Sequence, residues 1–424
     1  MITRDESYLQ SGLSGKLLQG TLNEHLRRLT ELTRLRQLYD GQGDILHRQR
    51  AEGLPNARLS HGFGRYIVTV ASSYLMGGDV AYTRQDGESC PALEQLLRAY
   101  RDCDVQSADM ELAKHASLYG RGVEVVYADE KTRPRTAVLD PRSAFVVYGE
   151  DVSHRPLFGV SVRPVQSEGG AMQGWEGTVY TDHETLTFRA REAARLLTGA
   201  PVNRQPHYFG GVPMVEYWNN EDEQSDLECV ESLVEAYDLL QSDRVNDWEQ
   251  RVDALLLLYG AQLSVDERGR SPAQQLRQDK LLYLPDRDAG AEYLTPGQTG
   301  GDGEVLRLAL ERDIHKFSMV PDLSDEHFGG NLSGVAIKYK LMGLEQLTRL
   351  KERWFREGLR ERMRLFSHFL AVKGGRELDT DQVRMYFRRT LPVDNLETAQ
   401  MVRTLSGMVP DKVLVSQLPF MEGT

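Results

Sequence analysis

The sequence predicts a predominantly helical α+β protein. Apolar residues recur every three or four positions through long stretches near both ends of the chain, as they do in amphipathic helices. A central block instead contains short segments rich in Val, Tyr, Thr and Phe, separated by Gly, Pro or Asp, which is typical of antiparallel strands. The 424 residues, 40% of them hydrophobic, exceed the usual size of one domain and can bury a sizeable core.

The N-terminal part of the chain is predicted to be helical. Residues 20–50 place leucines three and four positions apart, from Leu22 to Leu38, which favours one long helix. A mostly apolar segment, 56–80, follows. Residues 91–119 are predicted to form two helices, because Pro91 is suited to the first turn of a helix.

The central block is predicted to form a mainly antiparallel sheet. Its segments are too short and too rich in β-branched and aromatic residues for helices. The predicted strands are 123–127, 135–139, 144–148, 157–162, 177–180 and 185–189.

Helix is predicted to return after the sheet, over residues 226–258. This stretch contains neither Pro nor Gly, and Ser225 and Glu228 have the spacing of a capping box. At about 1.5 Å per residue such a helix is about 50 Å long. Residues 259–303 then contain seven Gly and three Pro, so we expect an irregular insertion with two short strand-like pieces, 281–284 and 291–294.

The C-terminal third is predicted to consist of helices around a polar loop. A helix over 304–319 ends before Pro321, and a polar, glycine-containing loop follows. A helical period then runs over 334–372, about 58 Å, with Gly343 and Gly358 as candidate bends. The chain is expected to finish with a strand, 382–388, and a helix with Asp394 as its N-cap.

These helix lengths predict an assembly. A compact protein of 424 residues has a diameter of about 57 Å, so the longest predicted helix would span it. Helices this long expose apolar surface unless another element covers them. Either neighbouring subunits do so, in a ring or filament, or the chain is an elongated monomeric bundle.

Composition excludes several classes of function. The net charge of −12 argues against a tight, sequence-reading DNA binder, which needs basic surface. The three cysteines show neither a disulfide framework nor zinc-site spacing. The start of the chain is polar, unlike a secretory signal, and no apolar run reaches the roughly 18 residues of a membrane span. We therefore expect no membrane association.

No motif predicts catalysis or a cofactor. The sequence lacks a phosphate-binding GxxxxGK[ST] loop and an HExxH zinc motif. His315 and His327 flank the polar loop, where solvated side chains are favoured over a metal pair. The basic run from Arg349 to Arg364 alternates with glutamates, which indicates a salt-bridged solvated face; a weak phosphate-contact surface is the alternative. We expect no enzyme activity, no cofactor and no metal.

Several sequence blocks, in order, resemble the portal proteins of long-tailed (siphophage-type) bacteriophages. No single block is specific, but together they cover most of residues 39–420. They are YDGQGDIL at 39–46, Asn56 followed by GFGRYIV at 62–68, YLMGG at 74–78, VPMVEYWNN at 212–220, YDLLQSD at 237–243 with Asn246-Asp247, DIHKFSMVPD at 313–322, NLSGVAIK at 331–338 and LPVD at 391–394 with Glu397, Ala399, Gln400 and 405–407.

The resemblance implies an organisation known as wing, stem, clip, tunnel loop and crown, assembled into a ring with a central channel. The wing is expected over 1–225, the first stem helix over 226–258, the clip over 259–303 and the second stem helix over 304–320. The tunnel loop is expected over 321–333, the long wing helix and a strand over 334–390, and a small crown over 391–424.

The resemblance also implies the function and the site residues. We expect a portal protein forming a ring of twelve subunits, located in the virion at one capsid vertex and in the host cytoplasm during assembly. Double-stranded DNA would pass through its channel without sequence specificity during packaging and ejection. Expected partners are other copies of the chain, the terminase large subunit, the major capsid protein, the scaffold and the head–tail adaptor.

The sequence leaves two alternatives to a portal. One is another phage head–tail connector or capsid assembly protein, and the other is a DNA-processing enzyme with an unusual site.

Two groups of residues are candidates for the contacts of a portal with DNA and with partner proteins. The channel-facing candidates are Asp322, Leu323, Ser324, Asp325, Glu326, His327, Phe328, Gly329, Gly330, Asn331 and Leu332, and the clip candidates for partner docking are Arg268, Arg270, Arg277 and Lys280.

Overall fold

A computed structural model of the chain describes residues 1–9, 12–52, 54–88, 90–252, 255–259, 290–294, 300–324, 334–389 and 403–404. Helices and strands are mixed within these ranges, which confirms the α+β class. The chain divides into two compact units, and each is described by itself. The first unit comprises Met1–Gln42, Gly62–Ser232 and Ile314–Thr424, and the second comprises Gly43–His61 and Leu233–Asp313.

Within the described ranges, six α-helices of more than two residues lie wholly in the first unit. The first is shifted from its predicted position, because Ser14 caps its start by accepting a hydrogen bond from the Leu17 amide at 3.2 Å and Gly41 ends it in the left-handed conformation. Only one residue, Leu341, interrupts the predicted 334–372 helix. The helices are α1 (Gly15–Asp40), α2 (Phe63–Met76), α3 (Pro91–Asp102), α4 (Val105–Tyr119), α7 (Gly334–Lys340) and α8 (Met342–Val372).

Among the residues that the structure describes, strands of the first unit form three sheets. In the largest, β1 pairs in parallel with β5 and the other strands are antiparallel, in the order β1-β5-β6-β7-β8-β9. The order of the second is β10-β3-β4, and β13 pairs with β2. The strands are β1 (Ile2–Arg4), β2 (Ala81–Arg84), β3 (Arg121–Ala128), β4 (Pro134–Leu139), β5 (Ala144–Gly149), β6 (Pro156–Gln166), β7 (Met172–Tyr180), β8 (Glu184–Ala190), β9 (Asn203–Pro206), β10 (Met214–Trp218) and β13 (Val383–Tyr386).

The core of the first unit lies on these sheets. Helix α1 packs on the six-stranded sheet, where Leu18 and Leu22 meet Phe145 and Phe158. A second cluster joins α3, α4 and α8, with Leu96 and Phe366 among its fully buried side chains. Burial of apolar surface of this kind stabilises the folded state by roughly 25 cal/mol per Å² of surface removed from water.

Two helix ends differ from the prediction. Helix α5 spans Glu231–Val252 rather than 226–258. Residues 226–230 form bends and turns instead, although the predicted contact between Ser225 and Glu228 is present, with the Ser225 amide donating to Glu228 at 2.6 Å. The apolar run Leu255–Tyr259 is strand β11, antiparallel to β12 (Gly290–Leu294), since a run apolar on every side suits a strand as well as a helix.

The second unit contains most of α5, most of helix α6 (Gly300–Ser318) and the segment Gly43–His61, which we call the strap and which begins with a short 3-10 helix at Asp44–His47. The strap is held to α5 through its backbone. Asp238, Ser242 and Asn246 accept hydrogen bonds from the amides of His61, Leu59 and Ala57 at 2.9, 2.9 and 2.6 Å.

The spacing of these bonds follows from the geometry of the two elements. Every second residue of an extended chain advances about 6.6 Å, and every fourth residue of an α-helix advances about 6.0 Å. An antiparallel strap can therefore meet one side chain per helical turn.

Among the described residues, no helix is both long enough and apolar enough to cross a membrane.

Candidate functional site

The structure reaches only the beginning of the predicted tunnel loop. Asp322, Leu323 and Ser324 are described, whereas Asp325 and the rest of the candidates through Leu332 lie outside the described residues. The four clip candidates, Arg268, Arg270, Arg277 and Lys280, also lie outside them. The site is therefore built from the residues on either side of the loop.

Tyr66 anchors the start of the loop. Its hydroxyl donates a hydrogen bond to the Pro321 carbonyl at 2.8 Å and accepts one from the Leu323 amide at 2.9 Å. Burial raises the pKa of Tyr66, so the hydroxyl remains a donor at neutral pH. One side chain of α2 thus satisfies two backbone groups on opposite sides of Asp322.

The turn that leads into this anchor is fixed by side chains of α6. His315 Nδ1 lies 3.0 Å from the Val320 carbonyl oxygen, and its ring packs edge-on against Tyr66 with centroids 5.7 Å apart. Met319 adopts a left-handed backbone conformation with φ of 57°, which is unusual for a residue with a side chain. The turn therefore depends on the surrounding contacts.

The Asp322 carboxylate shapes the next step of the chain. It accepts hydrogen bonds from the Ser324 amide at 2.9 Å and from the Ser324 hydroxyl at 3.1 Å. Such an Asx turn replaces backbone partners that a loop lacks. Residues 321–324 are thus ordered by specific hydrogen bonds.

Beyond the loop and helix α7, Tyr74 contacts the first turn of α8. Its hydroxyl donates to Glu345 Oε2 at 3.0 Å. Glu345 also accepts from Arg349 at 2.8 Å and from Arg389 at 3.2 Å. The resulting cluster ties the start of α8 to α2 and to the segment after β13.

Farther along α8, Arg362 is completely buried. Its guanidinium donates to Asp109 at 2.6 Å and to Glu124 at 3.3 Å, and it packs over the Tyr100 ring. The Tyr217 hydroxyl donates to the other oxygen of Glu124 at 2.5 Å. Removing one member would leave a buried charge without a partner, which costs about 3–5 kcal/mol.

Lys351 forms a second buried pair, with Asp226. The lysine is 3% exposed and also reaches the Ser117 hydroxyl at 3.4 Å. Asn219 donates to the free oxygen of Asp226 at 2.9 Å. Asp226, five residues before the start of α5, is thereby joined to α4 and α8.

These two pairs correct the interpretation of the basic run on α8 as a solvated face. The outer pairs do lie on the surface, as Arg360 with Glu357 and Arg364 with Glu361 show, but Lys351 and Arg362 are buried. The sequence indicated this burial, because Lys351 and Arg362 fall in the same helical register as the apolar residues of the buried stripe. That stripe comprises Leu344, Thr348, Lys351, Phe355, Leu359, Arg362, Phe366 and Phe369.

Gly358 proves to be a packing position rather than a bend. Helix α8 continues through Gly358, whereas Gly343 lies in its first turn, two residues after the interruption at Leu341. A Cβ at Gly358 would lie 2.5 Å from the Tyr217 ring, so only glycine allows the helix to approach β10 this closely.

The described residues contain no group of three or more His, Cys, Asp or Glu side chains that could hold a metal ion. A groove of about 810 Å³ in the first unit is lined by charged residues, but its cations pair with its carboxylates. Arg204 lies 3.1 Å from Glu184, and Arg364 lies 2.6 Å from Glu361.

Comparisons with known proteins identify the family. The family model described as "Phage portal protein, SPP1 Gp6-like" matches residues 19–424. The portal protein of Bacillus phage SPP1 is 23% identical over 384 residues, covering 87% of this chain and 74% of that protein. The portal protein of Clostridium phage phiCD119 is 23% identical over 431 residues, covering 96% and 92%.

Solved structures of gene transfer agent particles are also similar. A chain from the virion of the native particle is 13% identical with a TM-score of 0.48, covering 92% of this chain and 94% of that one. A chain from the neck of the empty particle is 14% identical with a TM-score of 0.46, covering 85% and 90%. On the family match, which extends over nearly the whole sequence, this chain belongs to the SPP1 Gp6-like family of phage portal proteins.

Proposed function

We propose that this chain forms a ring of twelve subunits at one vertex of a phage capsid, with a channel for double-stranded DNA. The family match over residues 19–424 carries this proposal. In the virion the ring would pass DNA inward during packaging and outward during ejection. Before that, it would assemble in the host cytoplasm.

Exposed apolar residues of the second unit support a ring. On α5, Leu239 and Trp248 are 45% and 68% exposed. They are nine residues apart, so at about 100° per residue they lie on opposite sides of the helix. Leu306 and Leu308 of α6 are also exposed and about 200° apart.

Apolar residues on opposite sides of a helix fit a subunit with two neighbours. A two-fold dimer needs one self-complementary surface, whereas a closed ring uses two different surfaces on every subunit. Large exposed apolar surfaces are otherwise rare on soluble monomers. The surface of α5 and α6 therefore favours a head-to-tail ring.

Charge supports a channel that does not retain DNA. Twelve subunits with a net charge of −12 give 12 × (−12) = −144 formal charges before counterions. Negative walls repel phosphate within about a Debye length, roughly 10 Å at 0.1 M salt. DNA would therefore slide through the ring without a tight binding site.

The tunnel loop, residues 321–333, is the proposed contact between the ring and DNA. Its sequence combines the freely rotating pair Gly329-Gly330 with the apolar residues Phe328 and Leu332. Twelve such loops would narrow the channel around the duplex. They would act as a gasket during packaging and as a retention device afterwards.

Deletion of residues 328–331 tests this role. The ring should still assemble, because the deletion removes only part of the loop, but particles should package less DNA or lose it after packaging. Ring mass by native mass spectrometry and the fraction of DNA-filled particles are the two measurements. Packaging and retention at wild-type efficiency would refute the proposed role of the loop.

The clip, residues 259–303, is proposed to dock the terminase large subunit. The chain has no nucleotide-binding motif, so the energy for translocation must come from a separate ATPase. Arg268, Arg270, Arg277 and Lys280 supply positive charge for that contact. Terminase binding should weaken in an Arg268→Ala/Arg270→Ala variant, and unchanged binding would exclude these two arginines.

The remaining partners follow from the position of a portal in the capsid. The major capsid protein and the scaffold would surround the ring during assembly. A head–tail adaptor would bind it once packaging ends.

A further inference from the structure

We propose that Arg36, Arg65 and Lys114, three cations gathered around the ring of Tyr39, form a binding site for carboxylates of a second copy of this chain. The inference rests on the proposed function, because it assigns a contact between neighbours in the ring. The site consists only of described residues of the first unit. It is separate from the apolar residues of α5 and α6.

The site lies where three helices of the first unit meet. Tyr39 is in the last turn of α1, Arg65 is in the first turn of α2 and Lys114 is in α4. Helix α2 can begin this close to the end of α1 because its second residue is Gly64. A Cβ at that position would lie 2.7 Å from the Leu38 carbonyl oxygen. Helix packing thus sets the positions from which the side chains of the site extend.

The three cations contact the same aromatic ring. The guanidinium carbons of Arg36 and Arg65 each lie 5.6 Å from the centroid of the Tyr39 ring, and the Lys114 ammonium lies 5.0 Å from it. An aromatic face attracts a cation, but like charges held this close together repel one another. Positive charge is therefore concentrated at one place on a chain whose net charge is −12.

Only part of this positive charge is neutralised among the described residues. Arg36 forms an ion pair with Asp40 at 2.6 Å. The side chains of Arg65 and Lys114 form neither an ion pair nor a hydrogen bond with any described residue. Arg65 is exposed and Lys114 is half-buried. Within the described part of the chain, two positive charges are thus accessible and lack a counter-charge.

A buried histidine next to the site is affected by the same charges. Burial lowers the pKa of His115 to about 4, and the positive charges of Lys114 and Arg36 add to this effect, whereas the Asp140 carboxylate opposes it. The neutral histidine contributes no further positive charge at pH 7. The cations of the site therefore raise the local electrostatic potential, which attracts an anion.

A second copy of the chain is the source of anions that fits this charge best. Each copy carries 63 acidic and 51 basic side chains, so its surface has an excess of carboxylates. In the proposed function the ring assembles before DNA enters, and at that stage neighbouring copies, rather than DNA, lie against each subunit. Complementary charges of this kind fix the register of an interface and disfavour wrong partners.

Zero-length cross-linking tests the contact directly. A carbodiimide joins a lysine amine to a carboxylate that touches it, with loss of water. In assemblies of mixed isotope-labelled and unlabelled subunits, mass spectrometry shows whether a link joins two copies. We expect Lys114 to be linked to an Asp or Glu of another copy more often than Lys131, an exposed control in the turn after β3. No links from Lys114, or links only within its own subunit, would overturn the proposal.

The Arg65→Gln/Lys114→Gln variant measures what the two free cations contribute to assembly. In low salt it should reach half-assembly at a severalfold higher subunit concentration than the wild type. The difference should shrink in about 1 M salt, where the Debye length is about 3 Å. Arg191→Gln is the matched control, because Arg191 is exposed and its side chain has no ion pair among the described residues. Analytical ultracentrifugation makes both measurements, and equal assembly of the variant and the wild type would overturn the proposal.

Thermal unfolding of unassembled subunits separates binding from a structural role. The double variant removes mutual repulsion, so its melting temperature should not fall below that of the wild type. A lower melting temperature with unchanged assembly would make the cluster a structural feature and overturn the site. Normal assembly with reduced DNA packaging would assign the site to DNA phosphates and overturn the contact between copies. Wild-type subunits that associate without forming a ring would refute the proposed function, while the cross-links from Lys114 would still decide the site.

Discussion

At the scale of single residues, two buried histidines link the stability of the fold to pH. His25 of α1 and His115 of α4 are 1% and 8% exposed. Burial lowers the pKa of each to about 4, and the charge of Arg121 adds to the effect at His25. His25 stacks on Phe145 and lies 3.0 Å from the Arg142 carbonyl oxygen.

These shifts predict that acid destabilises the protein before its carboxylates titrate fully. An unfolded histidine has a pKa near 6.5, so the unfolded chain binds protons first as the pH falls. The contribution of the two neutral histidines to the free energy of unfolding is complete above pH 6.5 and is lost as the pH falls towards 4. The difference between 6.5 and about 4 corresponds to about 3 kcal/mol per histidine.

Urea unfolding of the wild type and of His25→Phe, at pH 7 and at pH 5, measures this effect. The variant keeps the stacking on Phe145 and should lose less stability between the two pH values. His183→Gln is the control, because that side chain is 72% exposed. Equal pH dependence in the wild type and His25→Phe would contradict the prediction.

Single residues of the site were only partly predictable from the sequence. The positions of Tyr66 and Tyr74 belonged to the blocks that resemble portal proteins, but nothing local to them identified their partners. Pro321 and Glu345 are more than 250 residues away along the chain. Arg362 was misjudged for the same reason, since Asp109 and Glu124 are distant in sequence.

At the scale of elements, the strap predicts a local opening that can be measured. Asn246 is fully buried and accepts the Ala57 amide at 2.6 Å. Asn246→Ala leaves that amide without its acceptor, which costs about 1–3 kcal/mol. Because the strap contains Arg48, Arg50 and Arg58, its release should appear as faster tryptic cleavage at these residues.

Gln241→Ala is the control for this experiment. Gln241 lies on the same helix, and its side chain contacts Tyr237 and Arg244 rather than the strap. Cleavage within the strap should therefore be unchanged. If Asn246→Ala were as resistant as the control, the hydrogen-bonded ladder on α5 would not be what holds the strap.

The short strands of the central block were predicted better than the long helical pattern that follows them. The six strands predicted in the central block all exist, with additional residues at most of their ends. Pairing with neighbouring strands, rather than composition, decides where a strand stops. The predicted strand-like piece 281–284 lies outside the described residues. The prediction of one helix over 226–258 was wrong at both ends. Asp226 is drawn to Lys351 and Asn219, and Leu255–Tyr259 finds a partner strand 31 residues later, so tertiary contacts overrode a continuous helical pattern.

At the scale of the whole molecule, two apolar sides on one helix predict a specific assembly behaviour. In a head-to-tail ring, each subunit offers one surface to one neighbour and a different surface to the other. Leu239→Glu and Trp248→Glu should each damage only one of the two surfaces, because the residues lie on opposite sides of α5. Either variant alone should fail to form the wild-type ring, whose expected mass is 12 × 48.0 = 576 kDa.

Mixing the two variants distinguishes a ring from other assemblies. The Leu239→Glu variant keeps the surface around Trp248 intact, and the Trp248→Glu variant keeps the surface around Leu239 intact. One contact can therefore form between the two variants. Growth must stop there, and native mass spectrometry should show pairs of 2 × 48.0 = 96.0 kDa. Val152→Glu is the control, since Val152 is 99% exposed in the turn after β5 and the charge should leave the ring intact.

The outcome depends on which symmetry the subunits obey. In a two-fold dimer the same surface occurs on both partners, so a variant damaged on the opposite side would dimerise by itself and mixing would add nothing. Full rings from either variant alone would mean that other parts of the chain dominate the contact between neighbours. Pairs that appear only in the mixture require two different surfaces on each subunit, and this is the condition that lets copies of one chain close around a channel.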